Sequence, residues 1–394
     1  MHAGPERDVY DAVIVGARCA GAATALLLAR QGARVLMIDR DHALEDTLST
    51  HALTRPAVRL LSAWGLLDDL LAADTPLITQ TTFHYGQEQI DIPIRSDAQV
   101  PGLVAPRRWV LDRFLRDTAV RDGAEFCSSV NFVGVGRDLS DRIRGATLQF
   151  PNGTTRTICT PMVIGADGVR SSVAKVVGTY MLSRSKACTS TAYTYVSGVE
   201  NRGYRLYFQE GGITGLIPTT NGLHCLFSQI KPGSFIDEFA PNAYRTLLSA
   251  LGSWEPHLAE ELERRGPTER VRRFPGVRGY LRTCAGPGWA LVGDAGCFKD
   301  PCTAYGITDA LADAHHLARA MLKTNEIPNA YQIERDGIAP EIFRLTQEIA
   351  EMNWDLERVK SLHLDLNRHI HALDARLCRD LHPDTALSTE GAPQ

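Results

Sequence analysis

The sequence predicts an α/β fold in which a parallel sheet flanked by helices is interleaved with a mainly β region and followed by a helical tail. Three observations carry this prediction. A glycine-rich turn at Gly16–Gly21 stands between an apolar strand and a helical pattern, and a second apolar strand ends at Gly293, far along the chain. Between them, the stretch 189–281 is rich in aromatic and β-branched residues, which is typical of antiparallel strands.

Length and composition limit the class of protein. With 394 residues, the chain can bury a large core and form more than one domain. Its net charge of −4 gives no general attraction to nucleic acid or to an anionic membrane. The apolar runs near the N-terminus are too short to span a bilayer or to serve as a signal peptide, so we expect a cytoplasmic protein with no membrane span. The nine cysteines lack the spacing of metal ligands, so no metal site is expected.

The glycine-rich turn has the surroundings of a dinucleotide site. The predicted strand Ala12–Val15 precedes it and the predicted helix Ala22–Arg30 follows, so the helix start would offer free N–H groups to a pyrophosphate. A second strand ends in Asp39, which is placed to accept a hydrogen bond from a ribose hydroxyl, with Arg40 beside it. Arg18 replaces the middle glycine of the motif, and its guanidinium could pair with phosphate instead. A glycine-rich turn without a ligand is the alternative.

The remaining elements follow from periodicity and turn signals. We predict two hairpin turns, at Pro151–Gly153 and Asn221–Gly222. The amphipathic tail from Ile342 to Leu377 is expected to pack on its own body, with a dimer seam as the alternative. The other predicted elements are a helix over Pro56–Leu71, strands over Pro76–Ile94, a helix starting at Arg108, a short strand at Met162–Ile164, a helix from about Ala240 to Arg265, and a frayed end over Glu390–Gln394.

Three motifs in this order carry a family resemblance. They are the Gly16 turn, the Gly165-Ala166-Asp167-Gly168 turn, and Gly293-Asp294-Ala295 followed by Pro301 and Gly306. Together they resemble the flavoprotein monooxygenases built like para-hydroxybenzoate hydroxylase, a superfamily that also contains geranylgeranyl reductases and flavin-dependent halogenases. The resemblance implies FAD as the cofactor and NAD(P)H as a transient co-substrate.

The resemblance also implies roles for individual residues. Asp294, with Gly293, would bind the ribityl or pyrophosphate region, and Arg108 would steady FAD near its phosphates. Gly306 and Ile307 would start a helix whose positive end faces the flavin pyrimidine edge. Together with the first turn, the expected cofactor-binding residues are Gly16, Arg18, Gly21, Asp39, Arg40, Arg108, Gly293, Asp294, Gly306 and Ile307.

The catalytic residues stay unknown at this stage. In such proteins the loop containing Pro301 wraps the reactive face of the ring. Asp167 and Arg170 look like supporting residues that hold the nucleotide domain together. The candidates for the substrate pocket, each of which can also be read as ordinary packing, are His51, Tyr193, Tyr195, Phe208, Phe227 and Pro301.

The resemblance gives a domain division. A discontinuous, Rossmann-like FAD-binding domain would comprise residues 8–75, 105–180 and 282–325, and a mainly β substrate domain residues 76–104 and 181–281. Residues 326–394 would form the C-terminal helical region.

The expected function is hydroxylation of an aromatic or polycyclic, largely apolar small molecule in secondary metabolism, such as antibiotic biosynthesis. The resemblance implies that dioxygen would be delivered through a flavin C4a-hydroperoxide in a dry pocket. The alternatives are a flavin-dependent reductase of alkenes or prenyl chains, and a cyclase that keeps FAD without net redox chemistry. A halogenase is disfavoured because no lysine precedes Lys175. We expect a monomer or a homodimer, with no nucleic-acid partner.

Overall fold

The computed structural model describes residues 4–43, 45–232, 242–323 and 327–381, and it confirms the α/β class. Within these ranges, no helix combines the length and the apolar character that crossing a bilayer requires.

The strands are β1 (Ala12–Val15), β2 (Val35–Asp39), β3 (Gln80–Tyr85), β4 (Glu88–Pro93), β5 (Glu125–Ser128), β6 (Asn131–Arg137), β7 (Ile143–Gln149), β8 (Thr155–Cys159), β9 (Val163–Gly165), β10 (Met181–Arg184), β11 (Ser190–Val196), β12 (Tyr204–Gln209), β13 (Gly212–Pro218), β14 (His224–Ile230), β15 (Arg272–Phe274), β16 (Tyr280–Arg282), β17 (Ala285–Gly286), β18 (Trp289–Leu291) and β19 (Cys297–Phe298).

Helices pack on both faces of the two large sheets and form the end of the described chain. The helices are α1 (Cys19–Arg30), α2 (Arg55–Ala63), α3 (Leu67–Ala72), α4 (Arg108–Arg121), α5 (Ser172–Val177), α6 (Ala243–Gly252), α7 (Pro256–Arg265), α8 (Gly306–Lys323), α9 (Ile327–Asp336), α10 (Ala339–Ala350) and α11 (Leu356–Leu381).

A six-stranded sheet forms the first layer, in the order β17-β18-β9-β1-β2-β5. All neighbouring strands are parallel except β17, which runs antiparallel to β18. The four residues of β1 are completely or nearly completely buried, as a continuous apolar run at the centre of a parallel sheet requires. Helix α1 packs against α4 and α8 on one face of this sheet.

A seven-stranded sheet forms the second large layer, in the order β15-β11-β14-β13-β12-β3-β4. Its only parallel pair is β12 with β3; the other neighbours are antiparallel. The predicted hairpin turn at Asn221–Gly222 joins β13 to β14, and both turn residues have positive φ. The turn at Pro151–Gly153 likewise joins β7 to β8 within the smaller sheet β6-β7-β8.

Two predicted helices are wrong in extent. The expected helix over Pro56–Leu71 is two helices, α2 and α3, because the chain turns at Gly65 with φ +71. The expected helix ending at Arg265 is also split, into α6 and α7, because Pro256 begins a new helix where its missing N–H costs nothing. Its predicted start at Ala240 lies outside the described residues.

The C-terminal helices pack on the body of the protein, as predicted. Arg59 of α2 donates hydrogen bonds to both carboxylate oxygens of Asp374 on α11, at 2.8 and 2.9 Å. The periodic residues Leu362, Leu366, Leu373 and Leu377 are buried in the same core as α2. The apolar face of α11 is therefore buried within the same chain and does not need a dimer interface to cover it. The segment Glu390–Gln394, predicted to be frayed, lies outside the described residues, and the domain boundaries stay a prediction.

Candidate functional site

The Gly16–Gly21 segment is a tight turn into the first residues of α1, and it has no room for a side chain at Gly16 or Gly21. Gly16 has φ +106 and donates its N–H to the carbonyl oxygen of Ile38 at 2.8 Å. A Cβ atom added to Gly16 would lie 2.4 Å from the carbonyl oxygen of Ala166, and one added to Gly21 would lie 1.8 Å from the carbonyl oxygen of Gly16. Both distances are far below van der Waals contact. The two glycines therefore let β1, the loop and α1 approach each other as a dinucleotide-binding turn requires.

Asp39 lies at the end of β2, where the sequence predicted it, and its carboxylate holds the same loop. Its two oxygens accept hydrogen bonds from the N–H groups of Ala17 at 2.8 Å and Asp41 at 2.9 Å. Each oxygen keeps a second lone pair, so the ribose contact stays a prediction. Arg40 is exposed, and its guanidinium lies 3.9 Å from the carboxylate of Asp41.

Asp112 is a site residue that the sequence reasoning missed. Its buried carboxylate accepts hydrogen bonds from the N–H of Cys19 at 3.0 Å and from Arg108 at 3.0 Å, and it lies 3.5 Å from Arg18. The expectation of a free helix start holds in part: protein carboxylates bind the N–H groups of Ala17 and Cys19, whereas those of Ala20 and Gly21 have no backbone or carboxylate acceptor among the described residues. A signal existed in the spacing of Arg108 and Asp112, four residues apart on one helix face.

Asp294 lies beside the start of α8, and its side chain is free to receive a ligand. Among the described residues no hydrogen bond reaches its carboxylate, and a Cβ on Gly306 would lie 3.9 Å from its Oδ1. Burial raises the pKa of Asp294 to about 6, against the opposing effect of Arg108. Gly293 has φ +59 and donates its N–H to Asp313 at 2.9 Å. The first N–H groups of α8, at Gly306 and Ile307, have no partner within the helix.

The Pro301 loop is fixed to the second sheet. The carboxylate of Asp300 accepts hydrogen bonds from the backbone N–H of Thr189 at 2.6 Å, from its hydroxyl at 2.7 Å, and from the N–H of Cys302 at 3.0 Å. Pro301 then begins a short 3-10 turn. Beneath the loop, buried Lys299 forms an ion pair with Asp309 in the first turn of α8. The loop between β19 and α8 is thus held at both ends.

The aromatic candidates for the pocket lie on one face of the seven-stranded sheet. Tyr193 is directly opposite Phe227, which is directly opposite Gly215 on the next strand. A Cβ on Gly215 would lie 2.2 Å from the ring of Phe227, so the glycine leaves room for that ring. Phe208 is also buried, but its ring packs against Phe83, Tyr85 and His363, with ring centroids 6.1, 5.2 and 4.6 Å apart. The sheet therefore has a buried aromatic face that belongs to the same hydrophobic core as Tyr305 and Ile307.

His51 and Tyr195 form a polar corner of this face. His51 is fully buried, with φ +66, and its Nε2 lies 2.5 Å from the hydroxyl of Tyr195. Burial lowers the pKa of His51 to about 3, so its ring is neutral at physiological pH. Asp46 accepts hydrogen bonds from Tyr195 at 3.3 Å and from Arg107 at 2.5 Å, and the guanidinium of Arg107 lies 3.6 Å from the centre of the Tyr195 ring. Nδ1 of His51 and Oδ1 of Asp46 are buried without a hydrogen-bond partner among the described residues.

The polar corner is connected to α8. Three residues after His51, the hydroxyl of Thr54 lies 2.7 Å from that of Thr308 in the first turn of α8. Together with Asp300 and Thr189, this contact joins the sheet to the segment that follows Asp294. The sequence named His51 and Tyr195 separately, but the pairing of the two with Asp46 and Arg107 appears only in the fold.

Asp167 and Arg170 were both predicted to be supporting residues, and among the described residues the structure gives hydrogen bonds only to Asp167. Asp167 accepts hydrogen bonds from the N–H groups of Ser172 and Val173 at 2.6 and 3.2 Å, and so stabilises the start of α5. Arg170 is exposed and forms no ion pair within the described part of the chain, so a role in holding the domain together is wrong for this residue.

Comparison with known proteins assigns the family. A family model described as an FAD binding domain matches residues 9–342, and the chain belongs to this family. Digeranylgeranylglycerophospholipid reductase 1 of Methanococcoides burtonii is 26% identical over 324 residues, covering 77% of this chain and 72% of the relative. Menaquinone reductase of Mycolicibacterium smegmatis is 27% identical, covering 79% and 76%. Squalene epoxidase ERG1 of Saccharomyces cerevisiae is 31% identical over 152 residues, which are 37% of this chain and only 30% of that enzyme.

Solved structures share the fold. PqsL of Pseudomonas aeruginosa in complex with 2-aminobenzoylacetate has a TM-score of 0.76 and 20% identity, covering 90% of this chain and 99% of PqsL. The flavin-dependent brominase Bmp2 has a TM-score of 0.72 and 20% identity, covering 93% of each chain. Aklavinone-11 hydroxylase with FAD and aklavinone has a TM-score of 0.70 and 19% identity, covering 86% and 68%. The predicted superfamily and the α/β fold are thus confirmed.

The residues present fit FAD. The glycine cradle at Gly16 and Gly21, the unpartnered carboxylate of Asp294 and the helix start at Gly306 are the features that a flavin dinucleotide needs. The contacts of individual residues with FAD stay predictions.

Replacing Asp294 with alanine is expected to weaken FAD binding by about 1.5–3 kcal/mol, which is a roughly tenfold to hundredfold rise in Kd. The reason is that this carboxylate has free lone pairs beside the predicted pyrophosphate and ribityl region. Titration of the apoprotein with FAD, followed by flavin fluorescence, measures the effect. The matched control is Asp41→Ala, an exposed carboxylate in the loop after β2, which should change Kd by less than about threefold. Equal affinity in wild type and Asp294→Ala would refute the role.

The same titration should depend on pH with a defined sign. The pKa of Asp294 is raised to about 6 without ligand, and a hydrogen bond donated by the ligand favours the ionised form. Affinity should therefore fall as the pH is lowered through about 6. For the apoprotein the sign is opposite, because a raised folded-state pKa means that stability from this group is lost as the pH rises through 6. Asp294→Asn should remove both dependences.

Proposed function

We propose that the protein is an FAD-dependent monooxygenase that hydroxylates an aromatic or polycyclic, largely apolar small molecule of secondary metabolism, with dioxygen as oxidant and NAD(P)H as reductant. The observation that carries the proposal is the buried aromatic face of the seven-stranded sheet, which is joined to the Pro301 loop through Asp300 and Thr189. A flat apolar ring matches this face in shape and polarity. PqsL, described as a probable FAD-dependent monooxygenase, and aklavinone-11 hydroxylase share the fold, and their names favour the same chemistry.

Bound and reduced FAD supplies the electrons that activate dioxygen for transfer to a substrate. The protein side chains have three tasks. Tyr193 and Phe227 would contact the substrate and exclude water from the reacting atoms, whereas Phe208 packs on Phe83, Tyr85 and His363 behind them. The unpartnered Nδ1 of His51 and Oδ1 of Asp46 would bind one polar group of the substrate and fix its orientation. The N-terminal end of α8 would stabilise negative charge on the reduced cofactor.

The transient use of NAD(P)H agrees with the organisation of the chain. The glycine pair Gly134 and Gly136 lies inside β6, which continues into β7 rather than into a helix. That segment is not a dinucleotide turn. A reductant that binds briefly, without a second nucleotide fold, therefore matches the described residues better than a permanently bound one.

Reduction of an alkene is the second candidate. Two relatives that match over most of their length are a menaquinone reductase and a digeranylgeranylglycerophospholipid reductase. Their names favour a prenyl chain as substrate and addition of two hydrogens as the reaction. A cyclase without net redox chemistry is the third candidate.

Reactions under labelled dioxygen separate these candidates. A substrate panel of polycyclic aromatic and prenylated compounds is incubated with the protein, FAD and NAD(P)H, and products are analysed by mass spectrometry. Hydroxylation is expected to speed NAD(P)H oxidation and to place one labelled oxygen atom in the product. A product that gains two hydrogens and no label, including under anaerobic conditions, would replace the proposal with the reductase. Conversion without any redox change would replace it with the cyclase.

Halogenation should be undetectable, although halogenases share the fold. The stretch Met1–Ala174 has no lysine to carry a haloamine, and buried Lys299 is held by Asp309. Burial alone would lower the pKa of Lys299, but Asp309 outweighs it and raises the pKa, so the amine stays protonated and poorly nucleophilic. Incubation with reduced flavin, dioxygen and bromide tests this. A brominated product that depends on folded protein would overturn the exclusion.

A further inference from the structure

Two segments of the chain contain cations and no acid. Residues 168–199 and 270–293 lack aspartate and glutamate entirely, although the whole chain has 46 acidic residues and a net charge of −4. The cations in these segments are Arg170, Lys175, Arg184, Lys186, Arg270, Arg272, Arg273, Arg278 and Arg282. The net charge of the whole protein is therefore negative, although these two segments are positively charged.

The fold brings the two segments together. Strand β10 pairs antiparallel with β16, with Met181 opposite Arg282 and Arg184 opposite Tyr280. The pairing continues beyond both strands, because Ser185 donates its N–H to Gly279 at 2.8 Å. Strand β10 is the edge of the sheet β10-β16-β19, so one side of its backbone has no neighbouring strand in that sheet.

The cations on this edge are available to a partner. Lys175, Arg184, Lys186 and Arg278 are exposed, and none forms an ion pair within the described residues. Elsewhere exposed arginines usually have one, as Arg113 and Arg344 do. Arg272, in the same stretch, differs from these four because it reaches Asp46 and Glu269 outside the acid-free segments.

The same edge exposes large apolar side chains. Tyr180 is 78% exposed, Leu182 51% and Met181 48%, and Val176 and Val277 are 40% and 37% exposed. The register shifts between Met181 and Ser183, and this irregularity leaves two consecutive apolar side chains, Met181 and Leu182, in solvent. Single exposed apolar residues are common, but Tyr180, Met181 and Leu182 are consecutive, and neighbouring exposed apolar side chains of this size mark an interaction site.

We propose that this edge binds the surface of a lipid bilayer that contains anionic lipids. We call it the basic edge and define it as Lys175, Val176, Tyr180, Met181, Leu182, Arg184, Lys186, Val277 and Arg278. Aromatic and aliphatic side chains can enter the interface while the neighbouring cations contact lipid phosphates. A symmetric dimer through the basic edge would place like charges against each other, which disfavours a second copy of this chain as the occupant.

The basic edge is connected through β16 to the strand that leads into the Pro301 loop. Strand β16 also pairs with β19, which leads directly into Lys299, Asp300 and Pro301. The membrane contact would thus adjoin the loop that the proposed function places at the reacting ring. An apolar substrate dissolved in the bilayer could then reach the pocket without crossing water; this last step alone rests on the proposed function.

Vesicle co-sedimentation of the full chain tests the proposal. We expect binding to vesicles of phosphatidylcholine and phosphatidylserine, weak binding to phosphatidylcholine alone, and release at high salt, because screening weakens contacts between exposed charges. The variant Arg184→Gln/Lys186→Gln/Arg278→Gln should lose at least about tenfold in affinity, since each cation near an anionic surface contributes about fivefold. The matched control Lys231→Gln/Arg264→Gln/Arg379→Gln removes three exposed cations elsewhere and should retain most of the binding.

A second variant, Met181→Ser/Leu182→Ser, should also reduce binding while keeping the thermal midpoint of the wild type. No binding of the wild type to anionic vesicles at low salt would overturn the proposal, as would equal binding by the Arg184, Lys186 and Arg278 variant. A dimer in solution that is dissociated by the Met181 and Leu182 substitutions, with no vesicle binding, would show a protein interface instead. None of these outcomes depends on which reaction the flavin performs.

Discussion

Alanine at Gly21 is expected to abolish retention of FAD during purification and to lower the free energy of unfolding by 3 kcal/mol or more, at or above the range of about 1–3 kcal/mol for overpacked sites. The added Cβ would lie 1.8 Å from the carbonyl oxygen of Gly16, a backbone atom that no side-chain rotation can move. Relief requires α1 to shift away from the loop, and this shift would open the turn that we expect to hold the pyrophosphate. Flavin absorbance of the purified protein and denaturant unfolding of the apoprotein measure the two effects.

Gly252→Ala provides the matched control. Gly252 ends α6, and its added Cβ would meet the nearest atom, Cβ of Ala259, at 3.4 Å, close to ordinary contact. Alanine in a helix is favoured over glycine by about 0.5–1 kcal/mol, so this variant should be as stable as the wild type or slightly more stable. If Gly21→Ala kept FAD and stability like the Gly252 variant, the cradle would have to be far more adaptable than its contacts indicate.

Removing the carboxylate of Asp112 is expected to cause a large electrostatic loss of stability. In Asp112→Ala, the largely buried guanidinium of Arg108 and the N–H of Cys19 would lose their acceptor. Breaking a buried pair by removing one partner costs about 3–5 kcal/mol, because the remaining charge stays out of water. Denaturant unfolding of the apoprotein is the suitable measurement, since bound pyrophosphate could pair with the released arginines.

Asp117→Ala on the same helix is the control for Asp112→Ala. Asp117 is about half exposed and pairs with Arg113 and Arg116, so its loss should cost less than about 1 kcal/mol. Similar losses in the two variants would mean that Asp112 behaves as a surface carboxylate and that its place at the start of α1 contributes nothing special.

The sequence predicted correctly those elements that depend on neighbouring residues alone. The strand Ala12–Val15, the positive-φ turn at Asn221–Gly222 and the helix beginning at Arg108 depend on apolar runs, turn chemistry and periodicity. The two helices predicted too long show the limit of periodicity. The helical spacing of apolar residues continues across Gly65 and across the residues before Pro256, but the backbone leaves the helical conformation at both places. At both places the glycine or proline is a better indicator of the helix end than the apolar spacing.

The missed parts of the site are contacts between residues far apart in sequence. Asp112 meets Cys19, Asp300 meets Thr189, and Tyr195 meets both Asp46 and His51. No spacing rule encodes such pairs, because the fold alone brings them together. Asp39 illustrates a milder failure, since its place was predicted correctly, but its bonds to the N–H groups of Ala17 and Asp41 were not.

The strand order of the central sheet has a consequence for synthesis on the ribosome. Strand β1 is flanked by β2 on one side and β9 on the other, and β9 is completed by β18, which ends at Leu291. At about 5–20 residues per second, synthesis from the end of β9 to the end of β18 takes roughly 6–25 seconds, during which the nascent chain has an apolar sheet edge that its own later segment must cover. Chaperone binding to emerging chains, measured on ribosomes stalled before and after β18 has left the exit tunnel, should therefore drop once that strand can pair.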